Sequence, residues 1–115
     1  MTYDKWRRRL ARANDPALIP ITHIDALLAD GAAQFWATDD AAIVTQMQTW
    51  PGGAVTGEVI AAAGKKCDIL GPLQDAATAW MAANGATHIL VAGRDGWRRE
   101  LPGFRHHQTL LLKEL

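Results

Sequence analysis

Hydrophobic positions near the start of the chain recur at helical spacing and predict two short helices. Over residues 3–13, Trp6 and Leu10 fall on one face and arginines cover the others. A second helix is predicted over 22–30, with Thr22 as its N-cap and an acidic residue three positions later. Both helices precede every strand-like segment, so the chain opens with a helical pair.

The pattern then changes to strands, first in succession and then alternating with helices. Three successive runs separated by short turns predict an antiparallel meander: 33–37, 42–50 and 54–62. Pro72 suits the first position of a helix, and Asn84-Gly85 ends that helix. The remaining segments are a buried strand, a short helix and a last strand: 87–92, 95–101 and 105–112. The fourth strand is predicted parallel to the third, because a crossover helix connects them.

These elements define the fold class as α/β (α+β), in the order α-α-β-β-β-α-β-α-β. We expect a mixed, mostly antiparallel sheet of five strands flanked by helices. The length of 115 residues suits a single domain over 1–115, with a basic helix within residues 1–15 at its periphery. A hydrophobic content of 49% is enough for a real core.

Charge and cysteine content limit the classes of function. The formal net charge is zero, which argues against nucleic-acid binding through a global field. The basic residues crowded into the first dozen positions are read as a solvated helix face or as a contact for an acidic partner or a phosphate. The single cysteine, Cys67, cannot form an intramolecular disulfide, and no apolar run reaches the ~20 residues of a membrane span, so we expect a cytoplasmic protein.

Three stretches carry a resemblance to a known superfamily. They read AQFWATDDAAIVTQM, then GPLQDAATAWMAANGATHILVAGRDGWRRELPGF, then LLLKEL at the end. Together they resemble the GNAT superfamily of acyl-CoA-dependent N-acetyltransferases, and most closely the short GNAT-like proteins of tailed bacteriophages and prophages. The resemblance implies a reduced GNAT-like fold, with acetyl-CoA as coenzyme and a bacterial host cytoplasm or a virion as location.

In that family, acetyl-CoA lies in a split between the fourth and fifth strands of the sheet, which here are 54–62 and 87–92. The resemblance therefore implies coenzyme contacts at seven residues: Val59, Ile60, Ala61, Gly64, Lys65, Lys66 and Gly71. The glycine pair that normally cradles the diphosphate is replaced by AAAGKKCDILGPL. The loop is degenerate, and the two lysines offer side-chain charge in its place.

The candidate catalytic residue is Glu58, on the third predicted strand. It could act as general base for the amine if it points inward, and it is a solvated surface residue if it points outward. The tyrosine that usually protonates the leaving thiolate has no counterpart, since Tyr3 is the only tyrosine. His106 and His107 point to opposite faces of a strand and match no metal-ligand spacing, so no metal is expected.

A basic and aromatic patch near the C-terminus is the candidate partner-binding surface: Arg94, Trp97, Arg98 and Arg99. Two functions remain open. One is a non-catalytic binding or virion-assembly protein that contacts a phage structural protein or forms a homodimer through exposed sheet edges. The other is an acetyl-CoA-dependent N-acetyltransferase acting on a small-molecule or protein amine.

Overall fold

The computed structural model describes residues 2–92, 101–108 and 110–115. Two short helices lead the chain and pack on one face of the sheet: α1 spans Tyr3–Ala11 and α2 spans Ile21–Ala29. α1 contributes Trp6 and Leu10 to the core, as the helical spacing predicts. The basic helix is therefore anchored to the sheet through its apolar side.

The start of α2 differs from the sequence prediction. Its N-cap is Pro20 in an extended conformation, and no side chain caps it. The predicted capping box at Thr22 is wrong, because the helix begins before Thr22, at Ile21. The carboxylate of Asp25, which the box would have used, instead accepts hydrogen bonds from α1.

The sheet has four strands in the order β1-β2-β3-β4. They are β1 (Ala33–Ala37), β2 (Ala41–Thr49), β3 (Val55–Gly64) and β4 (His88–Val91). The first three form the predicted antiparallel meander, and β4 joins β3 in parallel. The mixed, mostly antiparallel character is confirmed.

The helical segment between β3 and β4 begins earlier than predicted. It consists of α3 (Lys66–Asp68), a π-helical turn (Ile69–Leu73) and α4 (Gln74–Ala83). Pro72 lies inside the π turn and not at the first helical position. Proline has no N–H and its ring clashes with the carbonyl of an ordinary α-helical turn, so the backbone widens there without ending the helix.

Two apolar clusters lie on opposite faces of the sheet. The first joins α1 and α2 to even-numbered positions of β2, such as Ala42 and Val44. The second joins the π turn and α4 to odd-numbered positions, such as Ile43. This division follows from the two-residue period of a strand, which sends neighbouring side chains to opposite faces.

The predicted fifth strand over 105–112 is wrong for the residues that the structure describes there. Residues 105–108 and 110–115 have no strand conformation. The three leucines at 110–112 are exposed, from 64% for Leu112 to 89% for Leu111. An apolar run favours a strand only when a sheet edge buries it, and the run itself does not specify that edge. The predicted short helix over 95–101 falls almost wholly outside the described residues.

Candidate functional site

β3 has a neighbouring strand on both sides over its first half and, among the described residues, on one side over its second half. β3 and β4 are paired from Thr56–His88 to Val59–Val91. β3 then continues to Gly64, still paired with β2 on its other side. Among the described residues, no strand pairs with this second half of β3 on the β4 side. Backbone groups along an unpaired edge are available to an extended ligand that carries amides.

A β-bulge marks the same boundary. Val59 is paired with Thr45 and Ala61 with Val44, so Ile60 is the extra residue of β3. Its carbonyl oxygen accepts a hydrogen bond of 2.8 Å from Nδ2 of Asn14, which lies in the loop after α1. A bulge bends the strand that carries it and interrupts its ladder. The bend therefore begins where the pairing with β4 ends.

Glu58 immediately precedes the bulge and is half-buried. It shares a sheet face with Thr56, whose hydroxyl donates to the Glu58 carboxylate over 3.2 Å. That hydroxyl accepts a bond of 2.7 Å from Nε1 of Trp50. Because Thr56 is 5% exposed, it fixes the carboxylate from the protein side. Glu58 is thus neither a free surface group nor fully enclosed.

The carboxylate of Glu58 lies in a cleft of about 1170 Å³, which we call the β4 cleft. Its lining includes Thr56, Glu58 and Leu90 from the sheet, and Phe104 and Arg105 from the segment that follows residue 100. Clefts that hold cofactors and small molecules have volumes of roughly 300–1,000 Å³, so the β4 cleft is large enough for both an acyl group and its acceptor.

The end of β3 leads directly into the helical segment. Lys65 is the extended N-cap of α3, and Lys66 is its first residue. Both are exposed, and the Lys65 ammonium lies 4.0 Å from a carboxylate oxygen of Asp40. The first turn of a helix presents N–H groups without intrahelical partners, which favours anions there. Since α3 starts at Lys66, Pro72 removes none of these donors.

Gly64 has a structural reason to be glycine. Its φ is +102°, and a Cβ would overlap the carbonyl oxygen of Asp40 and approach Cα of Ala41 to 2.6 Å. The neighbouring Lys65 N–H donates to that Asp40 oxygen over 2.9 Å. The absence of a side chain at Gly64 therefore lets the end of β3 pack closely against the turn before β2.

Asp68 would place a negative charge near a diphosphate, but its carboxylate is hydrogen-bonded within the protein. One of its carboxylate oxygens accepts a bond of 2.6 Å from Oγ1 of Thr38. The same Thr38 oxygen accepts from the backbone N–H groups of Asp40 and Ala41. The side chain thus ties α3 to the turn between β1 and β2.

The structure groups most of the predicted coenzyme residues along one path. Val59, Ile60 and Ala61 are at the bulge, and Lys65 and Lys66 follow at the helix start. Gly71 is separate, since it lies in the π turn beyond the first helical turn. The predicted partner patch lies outside the described residues: Arg94, Trp97, Arg98 and Arg99.

Sequence reasoning missed Thr56, Trp50 and Asn14. Thr56 could have been found, because it is two residues before Glu58 on a strand and so shares its face. Trp50 and Asn14 reach the site through tertiary contacts that no local pattern encodes.

A second polar cluster joins α1 to α2. Asp25 accepts hydrogen bonds of 2.6 Å from Nη2 of Arg7 and 2.7 Å from the hydroxyl of Tyr3. The Arg7 bond first, and then the Tyr3 bond, hold the pKa of Asp25 below its ordinary value. Burial and the Asp25 bond raise the pKa of the Tyr3 hydroxyl. Tyr3 is therefore a neutral structural donor to Asp25.

The described part of the chain shows neither a membrane-spanning helix nor a cluster of metal ligands. No helix there is long and apolar enough to cross a membrane. No group of three or more His, Cys, Asp or Glu side chains is placed there to hold a metal ion.

Solved acetyltransferases share this fold. An acetyltransferase from Trypanosoma brucei aligns at TM-score 0.63 and 12% identity, over 97% of this chain and 92% of that one. An aminoglycoside antibiotic 6'-N-acetyltransferase from Acinetobacter haemolyticus aligns at TM-score 0.65 and 12% identity, over 99% and 94%. A predicted acetyltransferase from Clostridium acetobutylicum, solved with acetyl-CoA, aligns at TM-score 0.66 and 12% identity, over 88% and 76%.

Sequence comparison gives no such match: no protein-family model and no curated protein matches the chain. The likeness therefore supports the GNAT-type fold, and the nearer likeness to phage proteins stays a prediction.

Proposed function

We propose that this chain binds acetyl-CoA and transfers its acetyl group to an amine, with Glu58 as the general base. The observation that carries the proposal is that the described pairing of β3 with β4 ends at Val59, beside a bulge at Ile60 and one residue after Glu58. A carboxylate that lines an open cleft beside this strand edge can accept the proton that an attacking amine loses in acyl transfer. Solved acetyltransferases of the same fold support this choice over other chemistry.

In the proposed complex, the pantetheine amides pair with the edge of β3 beyond Val59, which no strand of the described residues covers on the β4 side. The diphosphate lies at the start of α3, near the ammonium groups of Lys65 and Lys66. The acetyl group then lies beside Glu58 in the β4 cleft. Along the chain, the cleft at Glu58 is followed by the β3 edge beyond Val59 and then by the helix start at Lys66. One extended molecule can therefore contact all three.

The reaction follows from these positions. The neutral amine attacks the thioester carbonyl carbon and forms a C–N bond, while Glu58 accepts the proton that the nitrogen loses. The tetrahedral intermediate then expels the coenzyme thiolate as the C–S bond breaks. Because Tyr3 is hydrogen-bonded to Asp25, the proton that the thiolate takes up comes from solvent in the open cleft.

Isothermal calorimetry with acetyl-CoA tests the binding step. We expect micromolar binding that weakens about tenfold in the double variant Lys65→Ala plus Lys66→Ala, because each loss removes a charge-assisted contact. Lys113→Ala, on the exposed C-terminal tail, is the matched control and keeps the affinity of the parent. No binding at millimolar acetyl-CoA would overturn the proposal.

Glu58→Gln tests the chemical step in a coenzyme-release assay over a panel of small amines and lysine peptides. We expect turnover to fall by about 100-fold or more, the usual contribution of a general base, with unchanged affinity for acetyl-CoA. Glu114→Gln removes the same charge from the exposed tail and keeps full turnover. Equal rates for Glu58→Gln and the parent would remove Glu58 from the mechanism.

The second candidate is the non-catalytic binding or virion-assembly protein that the sequence leaves open for this chain. The observation that favours it is the loop itself, where Gly64 is needed for packing and no glycine pair is left for a diphosphate. It predicts self-association or a complex with a phage structural protein, measured by light scattering after size exclusion. A strict monomer with no partner, together with acetyl-CoA turnover, would exclude it.

A further inference from the structure

The carbonyl of Ile60 occupies an unusual position in the sheet. Ile60 has no cross-strand residue on β2, because the register passes from Val59–Thr45 to Ala61–Val44. It also follows Val59, the last residue of β3 that is paired with β4. At this interruption of both registers, the Ile60 carbonyl accepts a hydrogen bond of 2.8 Å from Nδ2 of Asn14.

The loop that carries Asn14 is itself fixed on both sides. Before it, α1 is held to the sheet by Trp6 and Leu10, which are 2% and 0% exposed. After it, the carboxylate of Asp15 accepts from the Ala17 N–H over 2.9 Å. The carbonyl of Asp15 accepts from two further N–H groups of the loop. The Asn14 amide therefore reaches the bulge from a rigid segment.

We infer that Asn14 is a positioning residue for the coenzyme: by holding the Ile60 carbonyl, it fixes the bulge and so the free edge of β3 on which the pantetheine amides would lie. The inference rests on the function proposed above. Without the Asn14 donor, the Ile60 carbonyl loses this bond from outside the sheet, and any rotation of its peptide plane moves the backbone of the adjacent Val59 and Ala61. A pre-organised edge binds an extended ligand more tightly than one that must first be ordered.

The test compares Asn14→Asp, Asn14→Ala and a matched control. Aspartate has the shape of asparagine and lacks the donor, so it removes the bond with little change in volume. The control is Asn84→Ala, because Nδ2 of Asn84 donates to the carbonyl of Trp80 over the same 2.8 Å at the exposed end of α4. Thermal denaturation of each variant separates loss of folding from loss of binding.

We expect both Asn14 variants to bind acetyl-CoA about tenfold more weakly than the parent, as the loss of one buried hydrogen bond would predict. The KM for acetyl-CoA should rise by the same factor, with little change in kcat or in the KM for the amine. Asn84→Ala should keep the affinity of the parent. A melting temperature that falls without any change in affinity or KM would overturn the inference and leave the proposed function intact.

A measurement on the parent protein covers the case in which the variants do not fold. In a ¹⁵N spectrum, the Asn14 side-chain amide should shift on saturation with acetyl-CoA, and the Asn84 side-chain amide should not. An Asn14 resonance that stays in place while the coenzyme binds would overturn the inference. A parent that does not bind acetyl-CoA would overturn the inference and the proposed function together.

Discussion

Gly64→Ala gives the sharpest prediction, because the structure and the family resemblance assign this glycine different roles. The resemblance makes Gly64 a coenzyme contact. In the structure, a Cβ at this position would overlap the Asp40 carbonyl oxygen and lie 2.6 Å from Cα of Ala41, both of which are backbone atoms. We therefore expect the substitution to destabilise the protein in the absence of any ligand.

The magnitude has two parts. The φ of +102° is unfavourable for alanine, which costs about 1–2 kcal/mol. Overlap with backbone that cannot rotate away costs about another 1–3 kcal/mol. The expected loss is about 3 kcal/mol, which for 115 residues lowers the melting temperature by about 12 °C.

Gly53→Ala is the matched control. Its φ is +92°, and nothing lies within 4 Å of the added Cβ. This variant has the conformational cost without the overlap, so its melting temperature should fall by only about 6 °C. Both values come from thermal denaturation of the ligand-free protein. If Gly64→Ala and Gly53→Ala melt within about 2 °C of each other, the close packing of Gly64 on the β1–β2 turn is refuted.

Two further predictions concern the helical pair and the tail. The depressed pKa of Asp25 means that its contribution to stability is present above its unfolded value of about 3.9 and is lost as the pH falls through the lower folded value. Asp25→Asn should therefore lower the melting temperature at pH 7 and make it decline less steeply in acid. Parallel curves of melting temperature against pH for this variant and the parent would show that Asp25 does not stabilise the helical pair. Truncation after Gln108 removes residues 109–115, of which those described are all exposed, and should change the melting temperature by less than about 2 °C. As a comparison, Leu10→Ala, at a fully buried position, should lower the free energy of unfolding by about 3 kcal/mol. A truncation that destabilises the protein as much would show that the tail is packed, as the predicted fifth strand requires.

The sequence predicts those parts of the fold that depend on local periodicity. The strand over 33–37 and the buried positions of α1 are confirmed, because alternation and helical spacing report directly which side chains share a face. Element starts are less certain, as α3 shows. Pro72 is compatible with either a helix start or a π turn, and the helix in fact begins at Lys66, where Asp68 is hydrogen-bonded to Thr38 of the β1–β2 turn.

Tertiary pairing accounts for the other differences. Asp25 has a residue spacing that fits a capping box, yet Arg7 offers its carboxylate a stronger, charged donor from another helix. The leucines at 110–112 have the composition of a buried strand, but composition does not supply a neighbouring edge. Of the candidate site, Glu58 could be predicted because strand position alone placed it, whereas Asn14 could not, because it reaches Ile60 across 46 residues of chain.

The hydrogen-bonded chain from Trp50 through Thr56 to Glu58 also gives the cleft an intrinsic optical probe. The indole of Trp50 is 40% exposed and donates to the hydroxyl that contacts the carboxylate, so its emission responds to a change of charge or solvent at that carboxylate. Replacing Trp36 and Trp80, which lie edge to face on the opposite side of the sheet, would reduce the background signal. Filling of the cleft could then be followed by fluorescence titration, before any acceptor amine is known.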